Sequence, residues 1–203
     1  MSKAQFGFTV FTKAWKKPLP ELARFVKGLG FDGVELPVRP GFQVEPENVT
    51  RTLPEADRIL KDHGLYIGSV AGPTDEKTIA TCGELGIPII RICEHLGGDP
   101  YLVAEAKMRR KYETLVPLLE KHGVTLGIQN HCDDYIANAM GLRHLLEGFD
   151  PKHVAAVLDV CHCGLDGELP AMAIDIVWDR LCLVNLKNAY RRRKSPPGAE
   201  VVE

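Results

Sequence analysis

Apolar residues fall into seven short blocks: FGFTVF (6–11), GVELPV (33–38), YIGSVA (66–71), IPIIRIC (87–93), VTLGIQN (124–130), VAAVLDV (154–160) and LCLVNLK (181–187). Each is short and β-branched, as strands buried on both faces are. Between them the period changes. The stretches 18–28, 51–62, 75–85, 103–122, 137–147 and 168–178 carry apolar residues at helical spacing. The clearest is 107–122, with Leu115, Leu118 and Leu119 on one side and charges on the other. Gly30, Gly64, Gly86 and Gly123 each stand between a helix and the next strand, where a helix-terminating glycine belongs. The phrases KGLGFDGVEL, KDHGLYIGSV, GELGIPIIRI and EKHGVTLGIQ repeat this one arrangement.

Strands alternating with helices predict an α/β protein with a parallel sheet. A doubly wound sheet calls for a glycine-rich phosphate loop after the first strand, and FTVFTKAWKKP has none. The pattern therefore predicts a (β/α) TIM barrel with about seven of its eight units. The chain has 203 residues, against about 250 for a full barrel. The tail YRRRKSPPGAEVVE is polar until its last residues. We expect one domain over 1–203, incomplete at the C-terminus, with the eighth strand missing.

Composition narrows the partners. The 25 basic and 27 acidic residues leave a net charge of -2, which gives no global field for nucleic acid or a membrane surface. No apolar run reaches the roughly 18 residues of a transmembrane helix. MSKAQFGFTVF has no signal-peptide pattern, so a cytoplasmic protein is expected. None of the six cysteines forms a CxxC pair; they read as reduced, small buried hydrophobes.

Candidate chemistry sits at the strand ends, which in a barrel form the site face. Alternation places Gln129 with His131, and Asn185 with Lys187, on common sides of their strands. Asp159 ends VAAVL, where a carboxylate is costly unless paired, metal-bound or wet. His162 stands one turn beyond it. Glu35 ends the second strand and is a candidate base, or an acid paired with Arg39. Lys187 suits a Schiff-base nucleophile or a cation neutralising nearby carboxylates. The run Arg191-Arg192-Arg193-Lys194 lacks the aromatic interleaving of a nucleic-acid surface. It reads as a solvated loop with one arginine turned to a polyol or anionic ligand.

The motifs GFDGVEL, HGVTLGIQNH, VLDVCHCGLDGE and LVNLKNAYR together resemble the xylose isomerase-like TIM barrels, the sugar phosphate isomerase/epimerase superfamily. The resemblance runs from about residue 6 to 191. It implies a divalent metal (Mn, Mg, Co or Zn) held by a Glu, an Asp, a His and a Glu at the ends of the fifth to eighth strands. Asp159 matches the metal-binding Asp. His162 matches a substrate-contacting histidine, and Arg191 a substrate-binding arginine. Gln129 stands at the first Glu position and Asn185 at the His position, so both become substrate contacts or weak neutral ligands. A metal at this place then needs help from Glu35, Glu94, His131 or His162.

The function the resemblance implies is carbohydrate metabolism. A sugar or polyol isomerase, epimerase or related dehydratase would move a proton next to a carbonyl. Glu35 and His162 are the catalytic candidates. Gln129, His131, Asn185, Lys187 and Arg191 would bind a small polyhydroxylated substrate, and Asp159 and Gln129 the metal. The alternative is a catalytically decayed, metal-free sugar-binding barrel.

Overall fold

The computed structural model describes residues 6–192. In chain order the regular elements begin with β1 (Thr9–Phe11), α1 (Leu19–Gly28), β2 (Gly33–Pro37) and α2 (Val49–Asp62). Next come β3 (Tyr66–Ala71), α3 (Glu76–Leu85), β4 (Ile89–Ile92), α4 (Tyr101–His122) and β5 (Thr125–Gln129). The last are α5 (Ala139–Leu146), β6 (Val154–Asp159), α6 (Val160–Leu165), α7 (Pro170–Val177) and β7 (Leu181–Asn185). Strands neighbour one another in chain order from β1 to β7, and the pairs β1–β2, β2–β3, β3–β4 and β6–β7 are parallel. This is the TIM-barrel type of α/β fold, with seven strands and no eighth among the described residues. The predicted eighth-strand position, and Arg193 and Lys194 of the basic run, lie outside the described residues.

The chain divides into two compact units, one of residues 1–92 with 112–127, the other of 93–111 with 128–203. In the first, α1 buries Leu22, Ala23 and Val26, and α2 buries Val49, Leu53, Ala56 and Leu60. That spacing is the apolar stripe of a helix packed on one side. Strands β2 to β4 supply Val34, Leu36, Ile67, Val70 and Ile90 to the same core. Asp75 caps α3 by accepting from the Thr78 amide at 3.1 Å, and Gly86 closes it at φ +71°, the left-handed region. Gly83 of α3 lies so close to the end of α4 that a Cβ there would stand 2.5 Å from the His122 carbonyl oxygen. β1 is shorter than the block FGFTVF. At its start the Phe8 amide donates to the Asp32 carboxylate at 2.9 Å.

Glu35 lies in this first unit and is 4% exposed. Its register partner on β3 is Ser69, whose hydroxyl donates to Oε1 at 3.2 Å. Arg91, on β4 beside Ala71, reaches the same carboxylate with Nε at 2.5 Å from Oε1 and Nη2 at 3.1 Å from Oε2. The guanidinium also lies 4.8 Å from the Phe11 ring centre. Both oxygens of Glu35 are therefore engaged, and its partner is Arg91 rather than Arg39.

In the second unit the core is Ile128, Ile136, Leu142, Leu145, Leu146, Val154, Val157, Leu158, Ala173 and Val177, with helices α5 and α7 against each other and against β6. α6 has no counterpart among the predicted helical stretches, of which the nearest is 168–178. Asp159 is the N-cap of α6: its Oδ1 accepts from the Cys161 and His162 amides at 3.1 and 3.2 Å. Among the described residues no helix is long and apolar enough to cross a membrane.

Candidate functional site

The polar cluster of the second unit is built at the ends of β5, β6 and β7. β6 is apolar until Asp159, which is completely buried. Such a carboxylate must find partners inside the protein. One oxygen caps α6. The other, Oδ2, accepts from Gln129 Nε2 at 2.7 Å and pairs with Lys187 Nζ at 2.9 Å. Register brings Lys187 near: Asp159 stands beside Asn185, the last residue of β7, and Lys187 follows two residues past the end of that strand. The lysine side chain is 47% exposed, so the ammonium joins the buried carboxylate to solvent.

α6 carries His162, 6% exposed, one turn from its own cap. Lys187 Nζ lies 2.7 Å from His162 Nε2. An ammonium only donates, so Nε2 is the accepting nitrogen and Nδ1 carries the proton. Nδ1 faces Cys132 Sγ at 3.1 Å. Burial holds the imidazole below its ordinary 6.5, Asp159 opposes this, and Lys187 and His131 add to it. His162 is thus a neutral imidazole gripped by an ammonium.

His131 stacks on His162 with ring centres 3.8 Å apart, and its Nδ1 lies 2.8 Å from the Cys132 carbonyl oxygen. Gln129 Oε1 accepts from Cys93 Sγ at 3.4 Å. Asn130, buried beside these, donates to the Asp159 carbonyl oxygen and accepts from the Asp159 amide at 2.7 Å, which fixes β6 against β5. Arg191 is exposed. Its Nη2 lies 3.6 Å from Asp166 Oδ1 and its Nε 3.4 Å from the Leu165 carbonyl oxygen, at the C-terminal end of α6.

Of the residues singled out in the sequence, Gln129, His131, Asp159, His162 and Lys187 meet in one network, with Asn185 beside Asp159 in register and Arg191 at the far end of the helix that carries His162. Glu35 belongs to the Arg91 ion pair of the first unit. Glu94 pairs with Lys111 at 2.6 Å, and His95 with Asp134 at 3.2 Å. Sequence reasoning missed Cys132 and Asn130. Cysteine is a small hydrophobe by default, and only the neighbouring His131 hinted that this one meets polar groups. Cys82 and Cys182 fit the default, and burial pushes both thiols up to about 12.

The four-ligand divalent site implied by the resemblance does not fit these residues. Gln129 turns its amide nitrogen, a donor, toward Asp159. Its oxygen is spent on Cys93. The one carboxylate is already neutralised by Lys187 at 2.9 Å. A hard cation needs several oxygen donors with net negative charge, and here an ammonium stands on the one carboxylate among Gln129, Asp159 and Asn185.

Residues 23–202 match the family described as xylose isomerase-like TIM barrel. No curated protein matches the chain. Among solved structures it is similar to 3-keto-D-glucoside 4-epimerase from E. coli, at 16% identity and a TM-score of 0.70, over 89% of this chain and 78% of that one. A D-psicose 3-epimerase from Clostridium cellulolyticum, solved with D-tagatose, aligns at 13% identity and a TM-score of 0.73, over 88% and 72%. A probable 3-DHS dehydratase from Bacillus anthracis aligns at 18% identity and 0.69, again over 88% and 72%. At these identities the likeness is one of fold. The match over most of its length carries the assignment: the chain belongs to the xylose isomerase-like TIM barrel family.

Proposed function

We propose that the protein is a carbohydrate isomerase or epimerase, or a related dehydratase, that moves a proton on the carbon next to a carbonyl of a small polyhydroxylated substrate. The observation that carries this reading is the Lys187–His162 pair: a half-exposed ammonium 2.7 Å from a buried, neutral imidazole. Removing a proton next to a carbonyl places negative charge on the carbonyl oxygen. A preorganised cation is what that charge needs. When a substrate carbonyl oxygen draws Lys187 away, the lone pair on His162 Nε2 is freed to take the proton and return it. Lys187 then stabilises the enediolate oxygen, and His162 exchanges the proton. Asp159 holds the lysine, and through the cap of α6 it also holds the histidine. Asn185, His131 and Arg191 bind substrate hydroxyls. Glu35 takes no proton in this scheme, because both its oxygens are held by Arg91 and Ser69. The epimerases among the similar structures support the reaction class. Six free cysteines suit a reducing compartment, and we carry the cytoplasmic reading with this proposal.

The test is solvent exchange. Ketoses, aldoses and their keto-derivatives are incubated with the protein in deuterium oxide, and proton NMR follows the position next to the carbonyl. Exchange with at least one of them is expected, falling about 100- to 10,000-fold in His162→Gln. Binding without exchange across the panel would overturn it. That outcome favours the second reading, a sugar-binding barrel without chemistry, for which Gln129 and Asn185 at the ligand positions speak.

A further inference from the structure

We propose that His131, Cys132 and His162 form a binding site for one thiophilic transition-metal ion of the zinc class, separate from the four-ligand site that fails above. One ligand atom from each residue lies within 4.8 Å of the other two. Cys132 Sγ and His162 Nδ1 are 3.1 Å apart, and the two imidazole rings stack with centres at 3.8 Å. Zinc bonds of about 2.3 Å to sulfur and 2.0–2.1 Å to nitrogen require tetrahedral edges of roughly 3.3–3.6 Å. The sulfur–nitrogen edge is nearly that already. The remaining closure falls on His131, the least buried of the three.

The local chain explains how adjacent residues reach one point. His131 and Cys132 leave β5 just before Asp133, which turns left-handed at φ 72°. The turn is closed by the His131 amide on the Ile136 carbonyl at 3.0 Å. Neighbouring side chains that would diverge in a strand can therefore converge here.

The outer contacts also suit ligands. His131 Nδ1 is fixed on the Cys132 carbonyl oxygen at 2.8 Å, which leaves Nε2 with its lone pair. To bind the ion through Nδ1, His162 moves its ring proton to Nε2, which faces Asp159 Oδ2 at 3.7 Å, a gap that must shorten to complete a carboxylate–histidine–metal arrangement. One sulfur and two imidazole nitrogens select zinc or cobalt over magnesium or manganese. Three protein ligands leave a fourth position open. Lys187 opposes the ion: it occupies His162 Nε2, and its charge repels a cation. Metal and lysine therefore compete for one histidine.

The experiment is a cobalt(II) titration of the full-length, fully reduced protein, read in the visible and near ultraviolet, with zinc as competitor. The proposal expects one cobalt per chain, with the visible bands of a tetrahedral ion and a thiolate-to-cobalt charge-transfer band that zinc abolishes. Cys132→Ser, checked for folding by circular dichroism, loses the charge-transfer band, whereas Cys93→Ser keeps it. His131→Asn weakens binding more than about tenfold. Lys187→Met binds tighter than the native protein. A charge-transfer band that survives Cys132→Ser, visible bands without one, or no spectral change at saturating cobalt would each overturn it. The readout involves no substrate, so the site stands or falls independently of the proposed reaction.

Discussion

Replacing Arg91 with methionine isolates the energetics of the Glu35 ion pair. Methionine keeps most of the apolar stem and removes the charge. Arg91 is 6% and Glu35 4% exposed, so water cannot take over the lost partner. Breaking a buried pair from one side costs about 3–5 kcal/mol, because the surviving charge is left without compensation. Ser69 still donates to the carboxylate at 3.2 Å, which puts the expectation toward the lower end. In urea, with a slope of about 2 kcal/mol per molar, the midpoint falls by about 1.5–2.5 M. Removing both charges reverses most of this: Glu35→Leu with Arg91→Met is expected within about 1 kcal/mol of the native chain, since well-packed apolar replacements of buried pairs are often neutral. The double-mutant cycle then gives a coupling of at least about 2 kcal/mol. A single variant that loses less than about 1 kcal/mol, or a double variant as unstable as the single, refutes the argument. Glu35→Gln completes the comparison. It should keep proton exchange per folded molecule, and loss of exchange with stability intact would return Glu35 to the chemistry.

Three further outcomes are expected. Lys187→Met should destabilise by about 1–2 kcal/mol in urea titration, less than a fully buried pair, because the lysine is 47% exposed and Asp159 keeps Gln129 and two backbone amides. An equal loss from Lys187→Met in an Asp159→Asn background would show that the pair contributes nothing. His162, held below 6.5 by burial, binds its proton more readily unfolded than folded. Its share of stability is therefore complete above about 6.5 and declines as pH falls through the lower folded value. Urea midpoints of His162→Gln should fall less steeply below pH 6.5 than those of the native chain, and identical slopes would contradict this. Gly83→Ala should lose about 1–3 kcal/mol by overpacking, although alanine is favoured in a helix by about 1 kcal/mol, because the new Cβ meets the His122 carbonyl oxygen at 2.5 Å. A raised melting temperature would show that the helices separate freely.

The strands were legible because burial on both faces writes itself as short apolar runs. YIGSVA is β3 to the residue, and VAAVLDV overshoots β6 by one. The short helix α6 was not legible. Val160–Leu165 is too brief to show a helical period, and its start depends on the Asp159 cap. Alternation put Asn185 and Lys187 on one side, but the choice of Asp159 as partner rests on the β6–β7 register, which shifts between Ala156 and Val157. No local pattern encodes such a shift. Cys132 escaped for a similar reason: His162 lies 30 residues away, and the left-handed turn at Asp133 that aims the thiol has no signature in NHCDD.

Asp159 divides its carboxylate between two tasks, one oxygen on the amides of Cys161 and His162, the other on Gln129 and Lys187. A molecule that draws Lys187 away therefore also alters the electron density felt by those two amides. Their nitrogen-15 resonances become resident probes, able to register an arriving sugar or ion before any product has formed.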